Sequence, residues 1–308
     1  MSLIFFGTPR FAVPSLQALI DAQEDVVLAV TRPDKVKGRG HVLSSPPVKD
    51  LALSKGVRVA QPSRIRNEKF YNELRSIRPE FIIVAAYGKI LPEEVLEIPE
   101  RGCVNVHASL LPKYRGAAPI QWALINGERV TGVTIMLMDK GMDTGDMLLQ
   151  AAVEIKEEDN SETLSVRLSE LGAKSLIETM KGMRTGEIKP VPQRGEASAA
   201  PPLKKGDGRI DWNKSAGEIF NFVRGMYPWP SAFSYLDSEM IKVIKVRPVE
   251  GEGVPGRIER ASGGELVVGA HKGLVMIEEL QPEGKRIMPA KAFLSGRRLV
   301  EKASRGFS

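Results

Sequence analysis

Two polar residues, two positions apart, interrupt an apolar run and lead directly into a turn. Asn105 and His107 lie in "CVNVH", and the turn that follows reads "ASLLPKYRG". Side chains alternate along a strand, so the two would share one face, about 6.6 Å apart along the backbone. An amide and an imidazole placed together could stabilise an oxyanion and carry a proton. The alternative is a buried Asn and His that only satisfy hydrogen bonds within the core.

A second polar segment, "MDKGMDTGDML" at residues 138–148, carries three carboxylates: Asp139, Asp143 and Asp146. A carboxylate on a tight loop at a strand end can orient an imidazole and raise its basicity, as general acid–base sites require. The alternative is a turn in which Asp and Gly only satisfy backbone geometry. Both polar segments therefore need strands and helices that bring them to one place.

The first 150 residues alternate short β-branched runs with helical patterns. Strands are expected at 3–6, 26–30, 57–60, 81–86, 103–107, 131–138 and 146–153, and helices at 13–22, 48–55, 68–77 and 162–184, with Ser161 as the N-cap of the last. Apolar strands separated by helices predict right-handed βαβ units and a Rossmann-like, doubly wound, mostly parallel sheet. Ligands of such sheets bind beyond the carboxyl ends of the strands.

The chain beyond residue 188 has a different composition. A proline-rich stretch without apolar periodicity predicts a linker. Beyond it, the sequence has a helical pattern at 215–226 and five short strand-like runs with Gly-rich turns, which predict a small OB-like β-barrel. We therefore expect an α/β catalytic domain at 1–188, a linker at 189–207 and a C-terminal domain at 208–308.

Positive charge is concentrated in two places. The net charge is +6, and residues 204–308 hold 18 Lys or Arg against 13 Asp or Glu. Residues 32–41 hold four basic residues and one acidic residue. This distribution fits a polyanionic partner bound beside the first domain, with an ordinary solvated surface as the alternative.

Several function classes are disfavoured by what the sequence contains. One Cys and three His give no disulfide and no cluster with metal-ligand spacing, and Cys103 is interpreted as a core residue. "GTPR" after the first strand is neither a dinucleotide-binding nor a Walker motif, so we expect no metal and no nicotinamide. No stretch approaches ~20 apolar residues, and we expect a cytoplasmic protein without membrane contact.

The Asn-x-His pair running into "SLLPKYRG", with "MDKGMDTGDML" downstream, resembles the formyltransferase family that uses 10-formyltetrahydrofolate. The resemblance covers nearly the whole chain. Further segments resemble the branch of the family that formylates methionyl-tRNA: "FFGTPRFAVPSLQAL", "RPDKVKGRG", "GAAPIQWALINGE", "GRIDW" and "YPWPSAF". The branches that act on glycinamide ribonucleotide, on formyltetrahydrofolate itself or on amino-sugar nucleotides are the alternatives.

The resemblance implies a catalytic trio of Asn105, His107 and Asp143. Asn105 would stabilise the oxyanion, His107 would move the proton, and Asp143 would hold the imidazole and favour its protonated form. The residues implied for 10-formyltetrahydrofolate, the formyl donor, are Tyr87, Gly88, Ser109, Leu110, Leu111, Pro112 and Asp139.

The resemblance also implies a partner, the initiator methionyl-tRNA, formylated on its free α-amino group for translation initiation. The expected tRNA contacts are Arg32, Lys35, Lys37 and Arg39, together with the basic C-terminal domain. A monomer is expected. Without the resemblance, the residues leave two classes open, an amine-directed acyl transferase and a non-catalytic RNA-binding protein, and the polar constellation favours the first.

Overall fold

The computed structural model of the chain describes residues 1–37, 42–296 and 306–308. The structure divides into two compact units. The first contains residues 1–119, 130–154 and 165–201, and the second contains residues 120–129, 155–164 and 202–308. The domain limits given above, with a linker at 189–207, stay a prediction.

The predicted strands and helices up to residue 200 occur in the expected order, and four short strands and two helices occur in addition. The strands are β1 (Ser2–Gly7), β2 (Asp25–Val30), β3 (Lys35–Lys37), β4 (Val42–Ser44), β5 (Arg58–Ala60), β6 (Phe81–Ala85), β7 (Cys103–His107), β8 (Arg115–Gly116), β9 (Val130–Leu137), β10 (Met147–Glu154) and β11 (Ala199–Ala200). The helices are α1 (Val13–Asp21), α2 (Pro47–Ser54), α3 (Glu68–Ile77), α4 (Glu93–Leu96), α5 (Pro119–Ile125) and α6 (Ser161–Thr185). The additional elements are β3, β4, β8, β11, α4 and α5, and a short 3-10 helix, Arg10–Ala12, precedes α1.

Seven strands of the first unit form one sheet in the order β10-β9-β7-β6-β1-β2-β5. The five strands from β7 to β5 run parallel, whereas β9 is antiparallel to β7 and β10 is antiparallel to β9. Apolar clusters cover both faces, one containing Phe5, Val104 and Val106 and the other containing Phe6 and Cys103. The predicted Rossmann-like, mostly parallel sheet is confirmed.

Capping side chains explain where two of the helices begin. Asn67 Oδ1 accepts a hydrogen bond from Phe70 N at the start of α3, whose bounds agree with the prediction. At the start of α6 the cap is Asn160, whose Oδ1 accepts from Glu162 N at 2.9 Å and Thr163 N at 3.0 Å. The prediction of Ser161 as this N-cap is wrong, because Ser161 directs its hydroxyl to the carbonyl of Tyr227.

From residue 202 on, the described residues of the second unit form an antiparallel sheet and two α-helices. After the 3-10 helix Lys205–Gly208 its elements are α7 (Ala216–Met226), β12 (Ala232–Leu236), β13 (Glu239–Val249), β14 (Ile258–Arg260), β15 (Leu266–Gly269), β16 (Leu274–Pro282), β17 (Met288–Pro289) and α8 (Ala290–Ser295). The sheet order is β12-β13-β16-β15-β14, with β17 on β16. Gly306 and Phe307 bridge to Arg257 and Leu236 and so link its two edges. The predicted OB-like domain is confirmed.

No helix in the described ranges combines the length and the apolar character that crossing a bilayer requires.

Candidate active site

Asn105 and His107 end strand β7 at the carboxyl edge of the parallel sheet. Both side chains are buried, with 9% of Asn105 and 5% of His107 exposed. Val104 and Val106 alternate with them and pack into the apolar cluster on the opposite face. The polar pair therefore occupies one face of the strand, as the alternation in the sequence predicts.

The carboxylate of Asp143 joins this pair. Its Oδ1 lies 3.5 Å from Asn105 Nδ2, and its Oδ2 lies 3.5 Å from His107 Nδ1. Oδ2 also accepts a hydrogen bond from the backbone N–H of Gly116 at 2.8 Å. The structure therefore brings together the three residues of the expected catalytic trio, which are separated by up to 38 positions in the chain.

The second ring nitrogen of His107 has a fixed partner. Nε2 lies 3.0 Å from the backbone carbonyl oxygen of Tyr114. A carbonyl oxygen only accepts, so this contact is a hydrogen bond in the forms of the ring that carry a hydrogen on Nε2. Nδ1 faces the Asp143 carboxylate, so a protonated ring donates to both of its oxygen neighbours, whereas either neutral tautomer leaves one lone pair facing an oxygen.

Left-handed backbone and close approach shape the two loops at this site. Asp143 has φ 53°, and Gly116, whose N–H reaches it, has φ 123°. A Cβ on Gly116 would lie 2.7 Å from the carbonyl oxygen of Ala200, so a side chain has no room there. Gly145 is under the same constraint, since a Cβ would lie 2.0 Å from Leu137 O. These glycines let the loops approach closely enough for Asp143 to reach β7.

The turn from Ser109 to Pro112 is held by side chains from the two antiparallel strands. Thr134 Oγ1 on β9 donates to Ser109 O at 2.7 Å and accepts from Leu111 N at 3.1 Å. Gln150 Nε2 on β10 donates to Leu111 O at 2.8 Å and to Thr134 Oγ1 at 3.0 Å. This turn, predicted to contact the folate, is therefore fixed by polar residues that the sequence analysis did not select, although each interrupts an apolar run.

Tyr87 and Gly88 follow β6, the neighbour of β7, at the same edge. The ring of Tyr87 is buried against Phe6, and its hydroxyl has no hydrogen-bond partner in the described residues. Burial raises the pKa of Tyr87 to about 12, so the phenol stays neutral. Gly88 is exposed at this edge whereas the phenol is buried, and Tyr87 O accepts a hydrogen bond from Thr8 Oγ1 at 3.2 Å.

The loop after β9 is braced from within and tied to the segment after β6. Asp139 Oδ1 accepts from Gly141 N at 3.0 Å and from Thr144 Oγ1 at 2.7 Å. Lys140 forms an ion pair with Glu93, which raises the pKa of the Lys140 ammonium. Asp139, predicted to contact folate, is in this structure a brace of the loop that presents Asp143.

Arg32, the first of the residues predicted to contact tRNA, follows β2 at the carboxyl edge of the sheet. A Cβ on Gly88 would lie 3.2 Å from Arg32 Nη1, so the guanidinium lies beside the exposed Gly88. Lys35 is exposed at the start of β3, which pairs with β4 as a hairpin. The side chain of Lys37 and the whole of Arg39 lie outside the described residues.

Side chains that could bind a metal ion are not clustered in the ranges that the structure describes. No group of three or more His, Cys, Asp and Glu side chains there could hold a metal ion. Cys103 is buried in the core below the site, and burial raises the pKa of its thiol to about 12.

Comparison with known proteins identifies the family. Residues 1–180 match the family described as "Formyl transferase", and residues 202–298 match "Formyl transferase, C-terminal domain". The chain is 58% identical, over 97% of both chains, to the methionyl-tRNA formyltransferase of Thermodesulfovibrio yellowstonii. It is 50% identical, over 98% of both chains, to that of Caldanaerobacter subterraneus subsp. tengcongensis.

Solved structures share the fold at lower identity. WlaRD, a sugar 3N-formyl transferase crystallised in the presence of dTDP and 5-N-formyl-THF, matches with a TM-score of 0.68 and 19% identity over 93% of this chain and 99% of its own. HypX from Aquifex aeolicus, in complex with tetrahydrofolic acid, matches with a TM-score of 0.65 and 17% identity over 99% of this chain. The chain spans 50% of the length of that HypX structure. By its family matches and its identity to the curated relatives, the chain belongs to the formyl transferase family, and within it to the methionyl-tRNA formyltransferases.

Proposed function

We propose that the chain transfers a formyl group from 10-formyltetrahydrofolate to the free α-amino group of initiator methionyl-tRNA. The contact of one Asp143 carboxylate with both Asn105 and His107, at the carboxyl end of β7, carries this proposal. It joins an amide donor to a proton carrier, and formyl transfer to an amine needs both. High identity to methionyl-tRNA formyltransferases supports tRNA as the acceptor.

The chemistry assigns a different task to each member of the trio. The donor supplies a formyl carbonyl, whose carbon the amine attacks while the bond to the folate nitrogen breaks. Asn105 donates an amide hydrogen to the formyl oxygen as negative charge builds on it. His107 takes the proton released by the amine and returns it to the departing folate nitrogen. Asp143 orients the ring and compensates its charge.

The surface beside the trio suits a folate ring system. The Lys140–Glu93 ion pair joins two loops, and each loop has a solvent-exposed apolar residue. Ile90 is 77% exposed, and Met142 is 59% exposed. Exposed apolar side chains on two neighbouring loops are suited to a flat, partly apolar ligand. We therefore propose that Gly88, the backbone of Tyr87, the Ser109–Pro112 turn and the Asp139 loop line the donor site.

A transfer assay tests the proposed function directly. The purified chain is incubated with 10-formyltetrahydrofolate and methionyl-tRNA, with uncharged tRNA and glycinamide ribonucleotide as control acceptors. Formyl-methionyl-tRNA is expected, with neither control formylated at a comparable rate. Equal use of glycinamide ribonucleotide would rule out the tRNA-specific function.

Replacing Asn105 by alanine is expected to lower kcat about 10²–10³-fold, the usual effect of removing one oxyanion donor. Asn105→Asp is the matched variant, because it keeps the size of the side chain and loses the amide hydrogens. Both variants should have a similar defect in single-turnover formylation while still binding methionyl-tRNA. Full activity in Asn105→Asp would exclude a hydrogen-bond donor role.

Lys35 offers a test of the tRNA partner. Lys35→Gln should weaken methionyl-tRNA binding and reduce the slope of log K against log salt by about 1, as loss of one phosphate contact does. Folate binding should not change. Lys55→Gln is the control. Lys55 is exposed and lies between α2 and β5, at the amino ends of the parallel strands and away from their carboxyl ends. An equal effect of both variants would argue against a specific contact at Lys35.

We also propose that the protein acts as a monomer in the cytoplasm. Charged tRNA is available there, and the single cysteine is buried and unpaired. Sedimentation of the purified chain, with and without tRNA, tests the monomer.

A further inference from the structure

We propose that Gln193 is a positioning residue that holds Asp143 in its catalytic orientation. The proposal rests on the proposed function. Gln193 lies in the proline-rich segment that the sequence predicts to be a linker, 50 positions after Asp143. Its side chain is half-buried and belongs to the same compact unit as the trio.

The segment that carries Gln193 is fixed to the first unit on both sides. On one side, Val191 and Met147 exchange two backbone hydrogen bonds of 2.8 and 2.9 Å. On the other side, β11 pairs with β8. Strand β8 contains Gly116, whose N–H donates to the Asp143 carboxylate. Gln193 is therefore presented from a short span of chain anchored at each end.

The amide of Gln193 contacts the loop backbone at Asp143 and again two residues later. Nε2 donates to Asp143 O and to Gly145 O, both at 2.8 Å. These two bonds use both hydrogens of the amide nitrogen. Asp143 has φ 53°, a left-handed conformation that is unfavourable for a non-glycine residue. Two carbonyls held by one amide stabilise the loop in that conformation.

Arg115 determines which way the Gln193 amide faces. The guanidinium donates to Gln193 Oε1 through Nε at 3.1 Å and Nη2 at 2.7 Å. A flipped amide would direct its NH₂ group at the guanidinium and its oxygen at two carbonyls. The arginine therefore selects the orientation in which both N–H groups face the Asp143 loop. A chain of contacts runs from Arg115 through Gln193 to the backbone of Asp143, whose carboxylate lies beside His107.

Two substitutions test the amide hydrogens of Gln193 separately from its amide oxygen. Gln193→Glu keeps the length of the side chain and the contact with Arg115, but it places oxygen against both loop carbonyls. Gln193→Met keeps a similar length and removes all polar contacts. Because both lose the two donors, both should lower kcat about 10–100-fold, the effect expected for a small displacement of a catalytic group. Glu196→Gln, an exposed position in the same segment, is the control and should retain wild-type kcat.

The deciding measurement is a double-mutant cycle with Asp143→Asn. If Gln193 acts through Asp143, adding Gln193→Met to Asp143→Asn should change kcat by less than about twofold. A loss that persists in full in this background, or no loss in the single variants, would overturn the proposal. KM for both substrates should stay within about threefold, since Gln193 reaches neither reacting atom in this proposal.

Hydrogen exchange makes the test independent of the reaction. Amides at 139–146 should exchange about tenfold faster in Gln193→Met than in wild type, whereas those of α3 should not change. Unchanged exchange at 139–146 would overturn the positioning role whatever the kinetics. Faster exchange in a protein whose wild type does not formylate methionyl-tRNA would support the positioning of Asp143 and reject the proposed function instead.

Discussion

Replacement of His107 by alanine is expected to lower kcat for formyl transfer about 10²–10⁴-fold, the range of general acid–base contributions. The ring is the proton carrier in the proposed mechanism, and its two nitrogens contact Tyr114 O and the Asp143 carboxylate. Methionyl-tRNA binding should stay within about twofold, because the lost group acts on the reaction rather than on the tRNA backbone. Single-turnover formylation and a filter-binding titration measure the two quantities.

A change in folding could imitate this result, so two further variants are needed. His107→Gln supplies an amide that can still donate to Tyr114 O, and it should be inactive while keeping a melting temperature close to wild type. His271→Gln changes an exposed histidine of the second unit and should keep full activity. Turnover by His107→Ala at the wild-type rate would refute the proton-carrier role.

The second large effect is expected on stability, at the edge of the sheet opposite the catalytic trio. Glu80 precedes β6, and its carboxylate is 1% exposed. Arg184, at the end of α6, donates to Glu80 at 2.8–3.1 Å and to Glu24 at 2.6 and 2.8 Å. These hydrogen bonds, those to Glu24 first, raise the pKa of Arg184 above its usual range.

Arg184→Met should lower the free energy of unfolding by about 2–3 kcal/mol, because it leaves a buried carboxylate short of donors. The value is below that for a fully buried pair, since the Arg184 side chain is 31% exposed and Arg101 remains 3.2 Å from Glu80. Urea unfolding measures the loss.

Two comparisons identify the cause of this loss. Adding Glu80→Gln to Arg184→Met should recover part of the stability, because a neutral amide replaces the unpaired charge. Lys181→Met, at an exposed position of α6, should have little effect. A loss of the same size in Lys181→Met would point to the helix surface rather than to the ion pairs. At 25 °C the kcat of folded Arg184→Met should equal that of wild type.

The sequence predicts β7, α3 and the shared face of Asn105 and His107, because those features depend on local alternation and capping. The pattern of buried strands also predicts the parallel sheet and its ligand edge. Asp143 could be selected from three nearby carboxylates only through resemblance to a family. Its reach to β7 depends on left-handed backbone and on glycines packed against distant carbonyls.

Other parts of the site were not predictable, because their partners are far apart in the chain. Gln193 and Arg115 are separated by 78 positions, and a proline-rich segment gives no periodicity that would link them. The two-residue pair of β8 and β11 is too short for a strand pattern. Thr134 and Gln150 did leave a signal, a polar residue inside an apolar run, but only the antiparallel direction of β9 and β10 brings them to the turn after β7.

The contact between His107 Nε2 and Tyr114 O has a consequence for the kinetic order of the reaction. A carbonyl oxygen cannot supply a proton, so the hydrogen on Nε2 stays in place. Nδ1 is the ring atom that exchanges one, because its 3.5 Å separation from Asp143 Oδ2 is longer than a strong hydrogen bond. The proton accepted from the amine must leave from that same atom to the departing nitrogen. Both nitrogens must then be within reach of Nδ1 in one ternary complex. Initial-rate kinetics should accordingly be sequential, with double-reciprocal lines for the two substrates that intersect rather than run parallel.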